Sequence, residues 1–187
     1  MPLRVIFTTL FVMALATFGG PAASADSGTS FSYLAGVAPL CELAPSACPD
    51  IARADNGDTV AITGSGTLSL HPKSATGTGT FRHQTSTGAL VGAGTWSATQ
   101  LISFQDAGTA TGFPVTFHGG TALIRVHLMA TSGPAAGAEA DGVLRVTCEL
   151  AENQVPGNVN EGVRLAVGDL INFNKEVSGF TVFIAMP

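Results

Sequence analysis

Residues 60–70 alternate between two kinds of side chain, one on each face of the segment. Val60, Ile62, Leu68 and Leu70 share one face with two glycines, and the opposite face carries only alanine, threonine and serine. A period of two residues is typical of a β-strand with one buried face. Because the alternation continues through the glycines without a shift, we predict one long strand here rather than two strands joined by a glycine turn.

The same period recurs along the rest of the chain, and Gly, Pro, Asn and Asp residues separate the alternating stretches. The further predicted strands lie at residues 76–83, 90–104, 114–117, 121–129, 143–150, 163–167, 171–177 and 179–184. Short links between regular strands indicate an all-β fold. We predict an antiparallel meander of eight or nine strands that spans residues 58–187 and closes into a small β-barrel, with a two-sheet β-sandwich as the alternative.

Three of the predicted strands contain the motif Gly-x-Gly-Thr followed by a bulky residue. The motifs lie at residues 64–68, 77–81 and 92–96. A glycine within a strand costs roughly 0.5–1 kcal/mol relative to alanine, so another interaction must compensate. With four-residue turns between these strands, Phe81 would lie opposite Gly66 and Gly92, and Trp96 opposite Gly77. Bulky rings that cover strand glycines would allow the strong coiling that a closed barrel needs.

These glycine-rich strands resemble those of small secreted barrels, namely the dirigent and allene-oxide-cyclase type and the calycins. The resemblance covers about forty residues and consists of the glycine spacing within the three motifs. It implies a small secreted barrel, and it transfers no functional residue to this chain.

The first residues of the chain have the order of a secretory signal peptide. Arg4 precedes an apolar run at residues 5–18, and small residues follow at positions 23–25. The run is shorter than the ~20 residues that a membrane-spanning helix needs. We therefore expect residues 1–25 to be removed, the protein to be secreted, and no segment to span a membrane. Residues 26–57 show no strong period and are predicted to be an irregular segment.

Three cysteines in an exported chain make a disulfide possible. Cys41 and Cys48 lie close together in the irregular segment, where a local bridge would hold a loop that has little else to fix it. We predict this pairing. Cys148 alternates with apolar residues and is predicted to be a buried free thiol, although a bridge from Cys148 to either of the other two remains an alternative.

Composition and charge exclude several classes of function. The formal net charge is -5 and there is no cluster of lysine or arginine, so nucleic acid is not an expected partner. The four histidines lack the spacing of a metal site, and no serine stands in a nucleophile-elbow motif. We expect no metal and no cofactor, and no catalytic residue can be assigned.

A small set of inward-facing polar and aromatic residues is the best candidate for a site. By alternation, Phe81, His83, Trp96, Gln100 and Lys175 point towards the interior. An apolar cavity with a few polar groups is typical of small-ligand sites, so these five residues are predicted to bind a ligand. The alternative for His83 is a position at a strand end near solvent.

The sequence therefore leads to a secreted, non-enzymatic β-barrel that binds a small apolar ligand or a surface partner. One alternative is a barrel-type isomerase or cyclase that acts on a small apolar substrate. Another is a purely structural extracellular β-domain. The oligomeric state cannot be read from the sequence.

Overall fold

The computed structural model describes residues 29–157 and 159–187, so the predicted signal peptide lies outside the described residues. The described chain contains strands and two short 3-10 turns, Leu40–Glu42 and Pro45–Ala47. The strands are β1 (Ser30–Ala35), β2 (Asp50–Arg53), β3 (Thr59–Leu70), β4 (Lys73–Gln84), β5 (Leu90–Gly108), β6 (Phe117–Ser132), β7 (Glu139–Cys148), β8 (Gly162–Val167), β9 (Ile171–Phe173), β10 (Lys175–Ser178) and β11 (Thr181–Met186).

All the strand pairings are antiparallel and belong to one 11-stranded sheet, which confirms the all-β prediction. The strands from β3 to β9 pair in sequence order, each with the next. β1 pairs with both β3 and β11, and β11 pairs with β6. Hydrogen bonds therefore link β1, β3, β4, β5, β6 and β11 in a closed circuit, and β2 and β10 extend from the side of β3.

The segment predicted to be irregular contributes two of the strands. In β1 the side chains of Phe31, Tyr33 and Ala35 are buried and the residues between them are less so. This alternation is only six residues long, which is why the sequence pattern did not separate it from a loop. The strand lies between β3 and β11, so it completes the closed circuit of pairings.

The predicted cysteine arrangement is confirmed. Cys41 and Cys48 form a disulfide across the two 3-10 turns, with 5.1 Å between their Cα atoms. Cys148 is a free thiol that is fully buried among apolar side chains at the end of β7. Burial raises the pKa of this thiol to about 12, so it behaves as a small hydrophobic side chain.

The glycines lie within strands as predicted, but the predicted register is wrong. His71 and Pro72 form a two-residue turn between β3 and β4, not a four-residue one. Phe81 consequently pairs with Ile62 rather than Gly66. Between β4 and β5, a register shift after His83 places Phe81 opposite Gly94 instead of Gly92.

Aromatic side chains do cover the strand glycines, although the pairs differ from those predicted. The ring of Trp96 lies against Gly64 and Gly79, where an added Cβ atom at either glycine would overlap the indole. Its Nε1 donates a hydrogen bond to the Thr63 carbonyl oxygen at 3.0 Å. The hydroxyl of Tyr33 lies against Gly77 in the same way. The glycines thus make room for two large buried rings, whose burial compensates for the cost of glycine in a strand.

Candidate functional site

A cavity of about 430 Å³ opens where β3, β4, β6, β8 and β9 come together. Its size falls within the range of small-molecule sites, about 300–1,000 Å³. The deepest part of its wall consists of large apolar side chains, namely Val60, Phe81, Leu128, Leu165, Ile171 and Phe173. Four of these side chains are 5% exposed or less, and Phe81 and Ile171 are half-buried. An apolar molecule that entered the cavity would lose contact with water over much of its surface.

Small residues in the turn between β6 and β7 form another wall. Ala135 and Ala138 line the cavity. The Ala135 amide donates to the Val91 carbonyl oxygen at 3.0 Å, and the Ala130 amide donates to the Ala138 carbonyl oxygen at 2.9 Å. The first bond holds the turn against β5, where Gly92 leaves room for the Ala135 methyl group, and the second closes the turn on β6. The small side chains of the turn keep the space beside it open.

His83 and Asp58 provide the main polar feature of the wall. Asp58 immediately precedes β3, and His83 pairs with Val60 in that strand, so the two side chains share a face. The distance from His83 Nε2 to Asp58 Oδ2 is 3.1 Å. The other carboxylate oxygen of Asp58 accepts a hydrogen bond from the Ser86 amide at 3.1 Å. The hydrogen bond from His83 is the largest of the effects that lower the pKa of Asp58, so this carboxyl is ionised at neutral pH.

The imidazole of His83 is fixed from a second side by an aromatic ring. The ring centroids of His83 and Phe173 are 5.1 Å apart, and the rings meet edge to face at 84°. The side chain of His83 is 19% exposed. The imidazole is therefore partly buried, as expected of a group that contacts a ligand at the edge of an apolar cavity.

The remaining polar groups of the wall contribute less to the interior. The side chain of Asn56 accepts a hydrogen bond from the Asp58 amide at 3.0 Å. Glu139 is 58% exposed and its carboxylate lies 3.5 Å from His127 on the outer side of the sheet. All other lining residues are apolar. The cavity thus combines an apolar body with one polar corner formed by His83 and Asp58.

The structure brings together some of the residues predicted to form the site. Phe81 and His83 line the cavity. Trp96 does not line the cavity. Together with Phe81, Leu128 and Leu165, it borders a smaller enclosed space beside the cavity, so Trp96 belongs to the supporting layer rather than to the surface of the cavity.

The predicted inward orientation is wrong for Gln100 and Lys175. A register irregularity between Ala98 and Gln100 shifts the alternation of β5, so Gln100 is exposed while its neighbour Leu101 is buried. Lys175 is 63% exposed and its ammonium group lies 2.9 Å from Asp55 Oδ1. Neither residue lines the cavity.

Sequence reasoning missed Asp58 as a partner of His83. The residue looked like one of several scattered loop carboxylates. The predicted register placed His83 opposite Gly64, four residues beyond its true partner Val60. A two-residue turn at His71-Pro72 would have brought Asp58 beside His83, so the missing information was the length of that turn.

Asp50 is buried away from this cavity and interacts with the half-buried Glu161. Asp50 is fully buried and neither of its carboxyl oxygens has a hydrogen-bond partner among the described residues. Burial, together with the nearby Glu161, raises its pKa to about 8. Burial also raises the pKa of Glu161 to about 7, although its carboxylate accepts a hydrogen bond from the Thr181 amide at 3.0 Å.

Residues 29–157 and 159–187 lack two features. Within those ranges, no three or more His, Cys, Asp and Glu side chains are grouped so that they could hold a metal ion. The same ranges contain no helix with the length and hydrophobicity needed to cross a lipid bilayer.

Comparison of the chain with protein-family models, with curated proteins and with solved structures found no match.

Proposed function

We propose that the protein is a secreted, non-enzymatic β-barrel that binds a small apolar molecule in the cavity beside His83. The observation that carries this proposal is the cavity itself: about 430 Å³, lined by apolar side chains except at one polar corner. Apolar side chains that line an open cavity face water when the cavity is empty, and an apolar ligand would cover them.

Two features support a closed barrel over a two-sheet sandwich. The hydrogen-bonded circuit through β1, β3, β4, β5, β6 and β11 gives each of those six strands two partners within the circuit, and two residue pairs join β11 to β6. The glycines beneath Trp96 allow the strong local coiling that closure requires. An experimental structure in which β1 and β11 do not pair would contradict the barrel.

Secretion is supported by the order of residues 1–25 and by the Cys41–Cys48 disulfide, since disulfides persist in oxidising compartments. Expression of the full chain with export, followed by sequencing of the amino terminus, tests this part. We expect the exported protein to begin at Asp26. An exported protein that still begins at Met1 would contradict the proposed cleavage.

Native mass spectrometry of the exported protein tests the binding function. We expect a fraction of the molecules to carry an additional small mass that organic extraction removes. The variant Ala138→Phe, which places a ring at the cavity wall, should lose that mass. Ala136→Phe is the matched control, because Ala136 lies in the same turn but does not line the cavity. Bare protein from every preparation would count against a carrier and favour a surface-binding or structural role.

The His83–Asp58 pair favours one second candidate, an isomerase or cyclase that acts on a small apolar substrate. A histidine oriented by a carboxylate is a common general base. This candidate requires that a compound bound in the cavity is chemically changed and that His83→Gln abolishes the change. If every bound compound is recovered chemically unaltered after long incubation, the result contradicts the enzyme candidate and supports binding alone.

A further inference from the structure

We propose that the ligand of this cavity has an apolar body and a hydroxyl group, and that the hydroxyl bonds to Nδ1 of His83. This inference rests on the proposed binding function and names the chemical class of the ligand. It follows from the way in which Asp58, Ser86 and Phe173 fix the imidazole.

The hydrogen-bond pattern around Asp58 determines which nitrogen of His83 is engaged. Both carboxylate oxygens of Asp58 already accept hydrogen bonds, one from the Ser86 amide and one from His83 Nε2. An ionised carboxylate accepts hydrogen bonds and donates none. The hydrogen between Asp58 and His83 therefore belongs to Nε2, and the imidazole has the tautomer or charge state in which Nε2 is a donor.

The second nitrogen of His83 is left for another partner. Among the described residues, no hydrogen-bond partner contacts Nδ1. The edge-to-face contact with Phe173 restricts rotation of the ring. The cavity that His83 lines is apolar except for Asn56, Asp58, Glu139 and His83 itself. Nδ1 is thus the group through which this polar corner can bind a polar atom of a ligand.

A hydroxyl group suits this nitrogen better than an ether or ketone oxygen. A neutral imidazole with a hydrogen on Nε2 presents a lone pair at Nδ1, whereas an imidazolium presents an N–H there. A hydroxyl both donates and accepts, so it pairs with either form, while an ether or ketone oxygen pairs only with the imidazolium. The hydroxyl also loses less on leaving water than a charged group would in this apolar space.

The size of the cavity limits the apolar body of the ligand. Its volume of about 430 Å³ corresponds to roughly 14 water molecules at about 30 Å³ each. A compact molecule with two fused rings is smaller than this volume and fits within it. Naphthol and its methyl ether, methoxynaphthalene, are therefore suitable probes: the two share the ring system, and the ether has lost the donor hydrogen.

Isothermal titration calorimetry of the exported protein, after organic extraction, with each probe tests the inference. We expect the wild type to bind naphthol about tenfold more tightly than methoxynaphthalene, the effect of about one hydrogen bond. His83→Phe should bring this ratio close to one, because the group that distinguishes the two probes is then absent. His71→Phe is the control, because His71 lies in the exposed β3–β4 turn.

The possible results separate the two proposals. Equal affinity of the wild type for both probes would overturn the hydroxyl inference and leave the binding function standing. A preference that survives in His83→Phe would overturn the role of His83. If neither probe binds the wild type, both proposals are overturned for ligands of this size.

If His83→Phe does not fold, the nitrogen NMR resonances of His83 in the wild type test the inference instead. Naphthol should shift the Nδ1 resonance, and an unshifted Nδ1 resonance on saturation with naphthol would contradict the proposal.

Discussion

Replacement of Asp50 by asparagine should make the protein more stable at alkaline pH and leave it nearly unchanged at acidic pH. Asp50 begins β2 and is fully buried, and neither carboxyl oxygen has a hydrogen-bond partner within residues 29–157 and 159–187. Ionisation of this group in the folded protein would place a charge in an apolar interior, which costs far more than ionisation in water. Asparagine has nearly the same size and shape but does not ionise, so Asp50→Asn removes only the charge.

The magnitude follows from the pKa of Asp50, which rises from 3.8 to about 8 on folding. Below pH 3.8 the carboxyl group of Asp50 is protonated in both the folded and the unfolded protein, so its ionisation takes away no stability there. Between pH 3.8 and 8 the folded protein holds a proton that the unfolded chain has released, so stability falls as the pH rises. At about 1.36 kcal/mol for each pH unit, the loss is about 6 kcal/mol by pH 8.

Urea unfolding followed by the emission of the single tryptophan, Trp96, measures this effect. The stability difference between Asp50→Asn and the wild type should be close to zero at about pH 4 and grow to several kcal/mol at about pH 8. Glu161 titrates in both proteins and largely cancels in the difference. Asp169→Asn is the matched control at an exposed position. A difference that stays flat between the two pH values would refute the argument that Asp50 is buried without a partner.

Three further predictions concern the glycines and the cysteines. Gly64→Ala should destabilise the fold by about 1–3 kcal/mol in urea unfolding, because the added methyl group overlaps the indole of Trp96. An unchanged unfolding midpoint would contradict that packing. Ser65→Ala, on the exposed face of the same strand, is the control. The double variant Cys41→Ser with Cys48→Ser should lose about 2–3 kcal/mol of stability, since the bridge closes a short loop; a smaller loss than about 0.5 kcal/mol would show that the segment is held by its other contacts. The Cys148 thiol should not react with a thiol reagent in the folded protein, because the thiol is buried and its pKa is about 12. It should react at once in urea, where the chain is unfolded. Rapid reaction without urea would contradict its burial.

Much of the fold could be predicted from the sequence because a period of two residues is a local property. The alternation in residues 60–70 depends on no distant contact, and β3 occupies Thr59–Leu70. The Cys41–Cys48 pairing was predictable for a similar reason, since the two residues are neighbours along the chain. The six residues of β1 gave too short a pattern, and their place between β3 and β11 depends on contacts with residues far along the chain.

The site was less predictable because it depends on register and on irregularities within strands. Phe81 and His83 were identified from alternation within β4, and both line the cavity. Gln100 was placed on the wrong face because one irregularity in β5 reverses the alternation that follows it. Asp58 became visible as the partner of His83 only when the length of the β3–β4 turn was known. Turn length and bulges are decided by packing between strands, which a single strand's pattern does not contain.

The proposed function requires that the cavity beside His83 accepts an apolar molecule. Fluorescence titration with phenylnaphthylamine, a neutral probe that brightens on leaving water, tests it directly. The wild type and Ala136→Phe should show saturable binding of one probe per chain, and Ala138→Phe should bind at least about tenfold more weakly, a loss of about 1.4 kcal/mol. Equal binding by all three proteins, or no binding by the wild type, would contradict the account.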